Sequence, residues 1–156
     1  MFSQTTEYAL RAMAWLALSP GLLVPTTQLA EKTHVPPHYL AKVLQQLSAA
    51  KLIRGRRGVS GGYQLARTAR EISLLDVVRS VTQVERITKC PLGIASHTST
   101  LCPLHRHLDL AAKAIIETYS TITLHDLVTD PSKVTPLCEN GDTAAQLTVS
   151  AKSAKR

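Results

Sequence analysis

Apolar and polar residues follow two different periods along this chain. Over residues 3–18, SQTTEYALRAMAWLAL, apolar side chains recur at Tyr8, Ala9, Ala12, Met13, Leu16 and Ala17. That three-to-four spacing predicts a helix with one buried face. Ser3 or Thr5 can cap its start, and Pro20 with Gly21 ends it. Residues 22–25 form a short link with room for an extended piece. Thr26 or Thr27 then caps a short second helix, TQLAEKT, and Val35-Pro36-Pro37 makes a turn. Pro37 suits the first turn of a third helix, PHYLAKVLQQLSAAKL, because its fixed φ is already helical and its missing N–H is not needed there. Leu40, Val43, Leu44 and Leu47 share one face of that helix, and His38, Lys42, Gln45 and Gln46 share the other. Two helices joined by a tight turn, the second with a polar and partly basic outer face, predict a helix-turn-helix.

The period changes directly after this helix. Residues 52–65, LIRGRRGVSGGYQL, place apolar residues at Leu52 and Ile53 and again at Tyr63 and Leu65, with Arg54, Arg56 and Arg57 between them. Gly55, Gly58, Gly61 and Gly62 let the chain reverse. The expected product is a β-hairpin with a cationic tip, placed where a winged helix-turn-helix carries its wing. Helical spacing returns in SLLDVVRSVTQ, where Ser73 caps, Asp76 suits the first turn and Leu74, Leu75, Val77, Val78 and Val81 form the stripe.

Residues 87–102 read as a loop. A longer helix over 102–119 follows, with Leu104, Leu108, Ala111, Ala112, Ile115 and Ile116 apolar. It lies beyond the compact first unit, so its stripe needs a partner, and the same helix of a second copy is the simplest one. Thr123 caps a short last helix, LHDLVTD. The tail after Cys138 is nearly devoid of large apolar residues and is expected to be disordered. The fold class expected is therefore mainly α: a winged helix-turn-helix with a two-stranded β wing over 1–83, a Cys/His loop over 84–101, a dimerisation helix and short last helix over 102–131, and a flexible tail over 132–156.

Charge sharpens this picture. The formal net charge is +7 over 156 residues. Residues 1–70 hold nine Lys and Arg against two acids, while 71–156 hold nine of each. The whole excess lies with the helix-turn-helix and the hairpin, as expected if that half meets a polyanion. An apolar fraction of 44% with few aromatics favours a helical core of Leu, Val, Ile and Ala. No stretch approaches the ~20 apolar residues of a membrane span, and the first residues do not read as a secretory leader, so a cytoplasmic location is expected. The chain has no C-x-x-C, no Gly-rich phosphate loop and no nucleophile beside an obvious base, which argues against an enzyme.

Three stretches resemble a known family. TTEYALRAM in the first helix, LAEKTHVPPHYLAKVLQQL in the helix-turn-helix and RGRRGVSGGYQLAR in the wing are similar to the IscR/NsrR-type winged-helix regulators, the Rrf-two family, over about residues 1–130. The resemblance implies a homodimeric transcription factor bound to a palindromic site in double-stranded DNA. It implies that the start of the third helix enters the major groove, with His38, Tyr39, Lys42 and Gln45 as contacts. Arg54, Arg56, Arg57 and Ser60 of the wing would then follow the backbone or minor groove, with Thr27 and Tyr63 beside them. Some members of that family carry an iron–sulfur cluster and sense nitric oxide, iron or redox state; others carry none.

The loop holds the candidate sensor. Three cysteines is an odd count that suits redox or metal chemistry better than a disulfide scaffold. Cys90, His97, Cys102 and His105 form C-x6-H-x4-C-x2-H, with His107 close behind. Thiolate with imidazole suits zinc or a 2Fe–2S cluster of mixed ligands. Cluster-binding members of the resembling family carry C-x5-C-x5-C here, and this chain has Ser96 at the middle position. The resemblance also places Glu7 where an acidic residue of the partner subunit completes the cluster in some members. Three occupants stay open at this point: a 2Fe–2S cluster, zinc, or none, the last leaving a thiol switch between Cys90 and Cys102 or no sensing role.

Overall fold

In the computed structural model, the structure describes residues 3–94, 100–131 and 136–137. Its elements run α1 (Gln4–Ala17), α2 (Thr26–Thr33), α3 (Pro37–Ala49), β1 (Ile53–Arg56), β2 (Gly62–Leu65), a 3-10 turn (Ala69–Glu71), α4 (Leu74–Val81), α5 (Pro103–Thr121) and α6 (Leu124–Val128). This is a mainly helical, winged-helix architecture in which β1 and β2 pair antiparallel, Ile53 opposite Leu65 and Arg56 opposite Gly62.

α1 is the centre of the core. Its residues 12–17 are buried without a break, Trp15 and Met13 completely. A helix buried on more than one face must be surrounded, and α2, α3, α4 and α6 all pack on it. Leu29 from α2, Leu40, Leu44 and Leu47 from α3, Leu52, Ile72 and Leu124 close the same cluster. Each such Leu or Ile contributes roughly 1.5–3 kcal/mol relative to exposure.

The caps follow the sequence in most places. Ser3 caps α1, its hydroxyl accepting from the Thr6 N–H. Ser73 with Asp76 and Thr123 with Asp126 form capping boxes at α4 and α6. α2 departs from expectation. Neither Thr26 nor Thr27 caps it; Pro25 occupies that position, and among the described residues no side chain bonds the first amides. Two lone bridges, invisible to any periodicity, tie distant pieces together. Val24 pairs with Tyr63, welding the link before α2 to the wing, and Ser73 pairs with Thr123, returning α6 to the core where Leu124 is fully buried.

α5 is different. Asp109 is its single buried residue, while Leu104, Leu108 and Leu110 remain 64%, 50% and 51% exposed. Asp109 faces the connector after α4. Arg86 donates to both of its oxygens, Nε at 2.6 Å and Nη2 at 2.7 Å, and the Ile87 N–H donates at 2.9 Å. These bonds hold the Asp109 carboxyl below its ordinary range, the Arg86 bond contributing most, and hold the guanidinium above its own. Hydrogen bonds from Thr68 and Thr123 likewise lower Glu71 and Asp126.

A carboxylate whose folded pKa is depressed binds a proton more readily when unfolded, so its stabilisation is present above the unfolded value and is lost as pH falls through the folded one. Thermal unfolding followed across the acid range should therefore show stability falling below about pH 4. Asp109→Asn should be less stable at neutral pH and should show a shallower acid limb, Glu71 and Asp126 supplying what remains. An acid limb parallel to that of the unaltered protein would count against the Asp109 clamp.

Candidate nucleic-acid interface

The helix-turn-helix is α2, the turn through His34, Val35 and Pro36, and α3. His34 ends α2 in the left-handed region at φ 52°, and its N–H reaches the Glu31 carbonyl. Val35 is buried beneath the turn. Pro37 opens α3 at its first position. Burial of Leu40, Val43, Leu44 and Leu47 turns the opposite face outward, leaving His38, Tyr39, Lys42 and Gln45 exposed. Gln46 departs from the expected outward face: it is only half-exposed, and its Oε1 is buried with no hydrogen-bond partner among the described residues.

The wing leaves α3 through Lys51, at φ 57°, and is fixed by backbone bonds on both sides. Val24 N–H donates to the Tyr63 carbonyl, and Tyr63 N–H donates to the Val24 carbonyl, both at 2.9 Å. This close approach requires glycine next door, since a Cβ on Gly62 would lie 2.4 Å from the Val24 oxygen. Gly58 carries the reversal at φ 109°. Val59 at the tip is wholly exposed.

The wing arginines divide between two faces. Arg56 and Arg57 line a cleft of about 570 Å³ together with Thr26 and Thr27 at the start of α2, Ser48 near the end of α3, and Tyr63. The uncapped end of a helix, with its partial positive charge, thus shares a concavity with two guanidinium groups and several hydroxyls. That combination favours an anion such as a phosphate. Arg54 lies elsewhere. It lies across the strands from Gln64, whose amide, turned so that its oxygen faces the guanidinium, accepts from Nε at 2.7 Å and Nη2 at 3.1 Å, and it lines a second cleft with Arg67. Ser60 is exposed on the wing loop.

The sensor candidates come together only in part. Cys102 precedes α5, and its Sγ lies 3.2 Å from His105 Nδ1. Cys90 is half-buried, followed by a turn in which the Gly93 N–H donates to the Cys90 carbonyl. Ser96, His97 and Cys138 lie outside the described residues. Among the described residues no three of His, Cys, Asp and Glu cluster closely enough to hold a metal ion. Glu7 is paired with Arg11 one turn along α1.

The winged helix with its basic cleft has counterparts among known proteins. The model of one protein family, Rrf2, described as an iron-dependent transcriptional regulator, matches residues 2–130. The chain belongs to the Rrf2 family. Among curated relatives, a protein of Mycobacterium tuberculosis named as an HTH-type transcriptional regulator is 36% identical over 120 residues, which is 74% of each chain. Among solved structures, IscR of T. potens is 27% identical with a TM-score of 0.69, over 83% of this chain and 87% of that one. CymR of Bacillus subtilis, titled the global cysteine regulator, is 25% identical with a TM-score of 0.67, over 81% and 95%. This Rrf2 protein is accordingly a DNA-binding transcriptional regulator and not an enzyme. No helix of its described residues is long and apolar enough to cross a membrane.

Sequence reasoning missed three parts of this site. Ser48 at the cleft sits inside an ordinary helical stretch, so no local signal marked it. The absent cap on α2 was masked by two threonines suited to capping. Arg11 of α1 donates to the Thr33 carbonyl at the end of α2, 3.3 Å away and far off in sequence, and periodicity does not register such a link.

Proposed function

We propose that this Rrf2 protein acts in the cytoplasm as a homodimeric repressor that reads a palindromic operator in double-stranded DNA. The cleft that unites the start of α2, the end of α3 and the wing carries this reading. It sets Arg56 and Arg57 beside the helix whose outer face presents His38, Tyr39, Lys42 and Gln45. In the reading, α3 enters the major groove, where Lys and Gln suit base edges. Thr27, Arg56, Arg57, Ser60 and Tyr63 hold the sugar–phosphate backbone, and Arg54 flanks them from the outer face of the wing. The exposed stripe of α5 packs on its counterpart in the second subunit, placing two reading helices about one DNA turn apart.

The finer part concerns the signal. The loop over 84–101 and the start of α5 sense redox state, iron or nitric oxide through a 2Fe–2S cluster. Cys90, Cys102 and His105 would hold it, with His97 or the partner subunit's Glu7 as a further ligand. Two donors 3.2 Å apart, Cys102 and His105, suit a single metal at bond lengths of about 2.0–2.3 Å. The cluster would supply a redox- and nitric-oxide-sensitive centre whose loss alters the loop. Ser96, standing where cluster-binding relatives have a thiolate, favours a second occupant, zinc held by two cysteines and two histidines, or a metal-free thiol switch between Cys90 and Cys102.

Two experiments test these readings. Binding to duplex DNA containing the promoter of the protein's own operon, measured across salt concentrations, should show sequence-specific retardation. Changing Arg56 and Arg57 together to Ala should weaken it and flatten the salt dependence by about 3–4 in slope, counting two phosphates per subunit. Equal affinity for any duplex, indifferent to these changes, would contradict the DNA reading. For the loop, protein purified without oxygen should be brown and contain about two irons per subunit for a 2Fe–2S centre, and Cys90→Ala or Cys102→Ala should abolish both. Colourless protein with zinc supports the second occupant, and neither metal removes the cofactor.

A further inference from the structure

Arg11 of α1 touches both sides of the helix-turn-helix at once. On one side its Nη1 donates to the Thr33 carbonyl at 3.3 Å. Thr33 is the last residue of α2 and is fully buried, so its carbonyl is one that the helix itself leaves without a partner. A guanidinium there also meets the negative end of the α2 dipole. On the other side Arg11 lies over the Tyr8 ring, 5.9 Å from its centroid. The buried Tyr8 meets Tyr39 edge to face, centroids 6.0 Å apart at 61°, and Tyr39 lies against His38 at 4.4 Å. Glu7 pairs with Arg11 from the preceding turn and holds the guanidinium between these two contacts. The end of α2 and the first turn of α3 are thus both anchored on one side chain of a helix whose own body is fixed in the core.

We propose that Arg11 is a positioning residue for base reading: through Thr33 and through Tyr8, it sets where His38 and Tyr39 stand on the DNA-facing end of α3. This rests on the DNA-reading function proposed above. The anchor is asymmetric. Lys42 and Gln45 lie a turn further on, beyond the aromatic chain, and Arg56 and Arg57 depend on the Val24–Tyr63 weld instead. Loss of Arg11 should therefore blur the readout of bases near the start of α3 while leaving the grip on phosphates intact.

The test compares two duplexes for the full-length protein. One is the highest-affinity duplex selected by the unaltered protein from a random-sequence pool, and the other is a scrambled duplex of the same composition. Arg11→Ala should reduce the ratio of affinities by about tenfold, the discrimination carried by one good base contact. Affinity for the scrambled duplex and the slope of log affinity against log salt should stay unchanged. Arg11→Lys should restore part of the ratio, because an ammonium can still reach Thr33 and Tyr8 but makes fewer directed bonds. Tyr8→Leu, which removes only the ring chain, should lower the ratio in the same sense, measured below the melting transition of each variant. A fall in salt slope would mean that Arg11 itself contacts phosphate and would overturn the proposal. Equal losses on both duplexes, tracking a lower melting temperature, would reduce Arg11 to fold stability and overturn it as well. Unaltered protein that does not distinguish the duplexes would remove the DNA reading itself, and the positioning role with it.

Discussion

The wing and the helix-turn-helix act as one surface because two backbone hydrogen bonds join them. Val24 and Tyr63 exchange N–H and carbonyl across a gap of 39 residues. Without that exchange, a two-stranded hairpin with an arginine-rich tip would be marginally stable and free to swing. With it, Arg56 and Arg57 are set against the uncapped start of α2, and the cleft has a fixed shape. Glycine at position 62 is the steric condition for the exchange, and the Tyr63 ring lies against Gly55 on the neighbouring strand.

α1 supplies the other half of the rigidity. Being buried on several faces, it serves as the frame on which α2, α3, α4 and α6 are hung. It also reaches outward through Arg11 to both ends of the turn between α2 and α3. Positive charge is thereby used in two ways. Arg56 and Arg57 line a cleft open to an anion, while Arg11 holds a buried carbonyl and an aromatic ring. Net charge alone does not distinguish these roles; the partners do.

Much of this was legible in the sequence because it is local. The spacing of Leu40, Val43, Leu44 and Leu47, the proline opening α3, the serine before α4 and the glycines between the wing arginines each act within a few residues, where helix and turn chemistry is decided. The apolar stripe of α5 was equally plain. What the sequence hid is long-range. The Val24–Tyr63 and Ser73–Thr123 bridges have no period, and the Arg86–Asp109 clamp joins a connector to the middle of a helix. Thr26 and Thr27 misled because their capping ability is real but Pro25 occupies the cap. At the sensor, spacing named donor types and brought Cys102 to His105, while position 97 lies outside the described residues.

A single surface requires the wing to be locked to the helix-turn-helix before DNA arrives. Amide hydrogen exchange of the DNA-free protein reads this directly. The amides of Val24 and Tyr63 should exchange as slowly as those of Leu44 and Leu47 in the core of α3. Exchange at Val24 and Tyr63 as fast as at the wing tip, with the α3 amides still protected, would show a hinged wing and contradict the single-surface description.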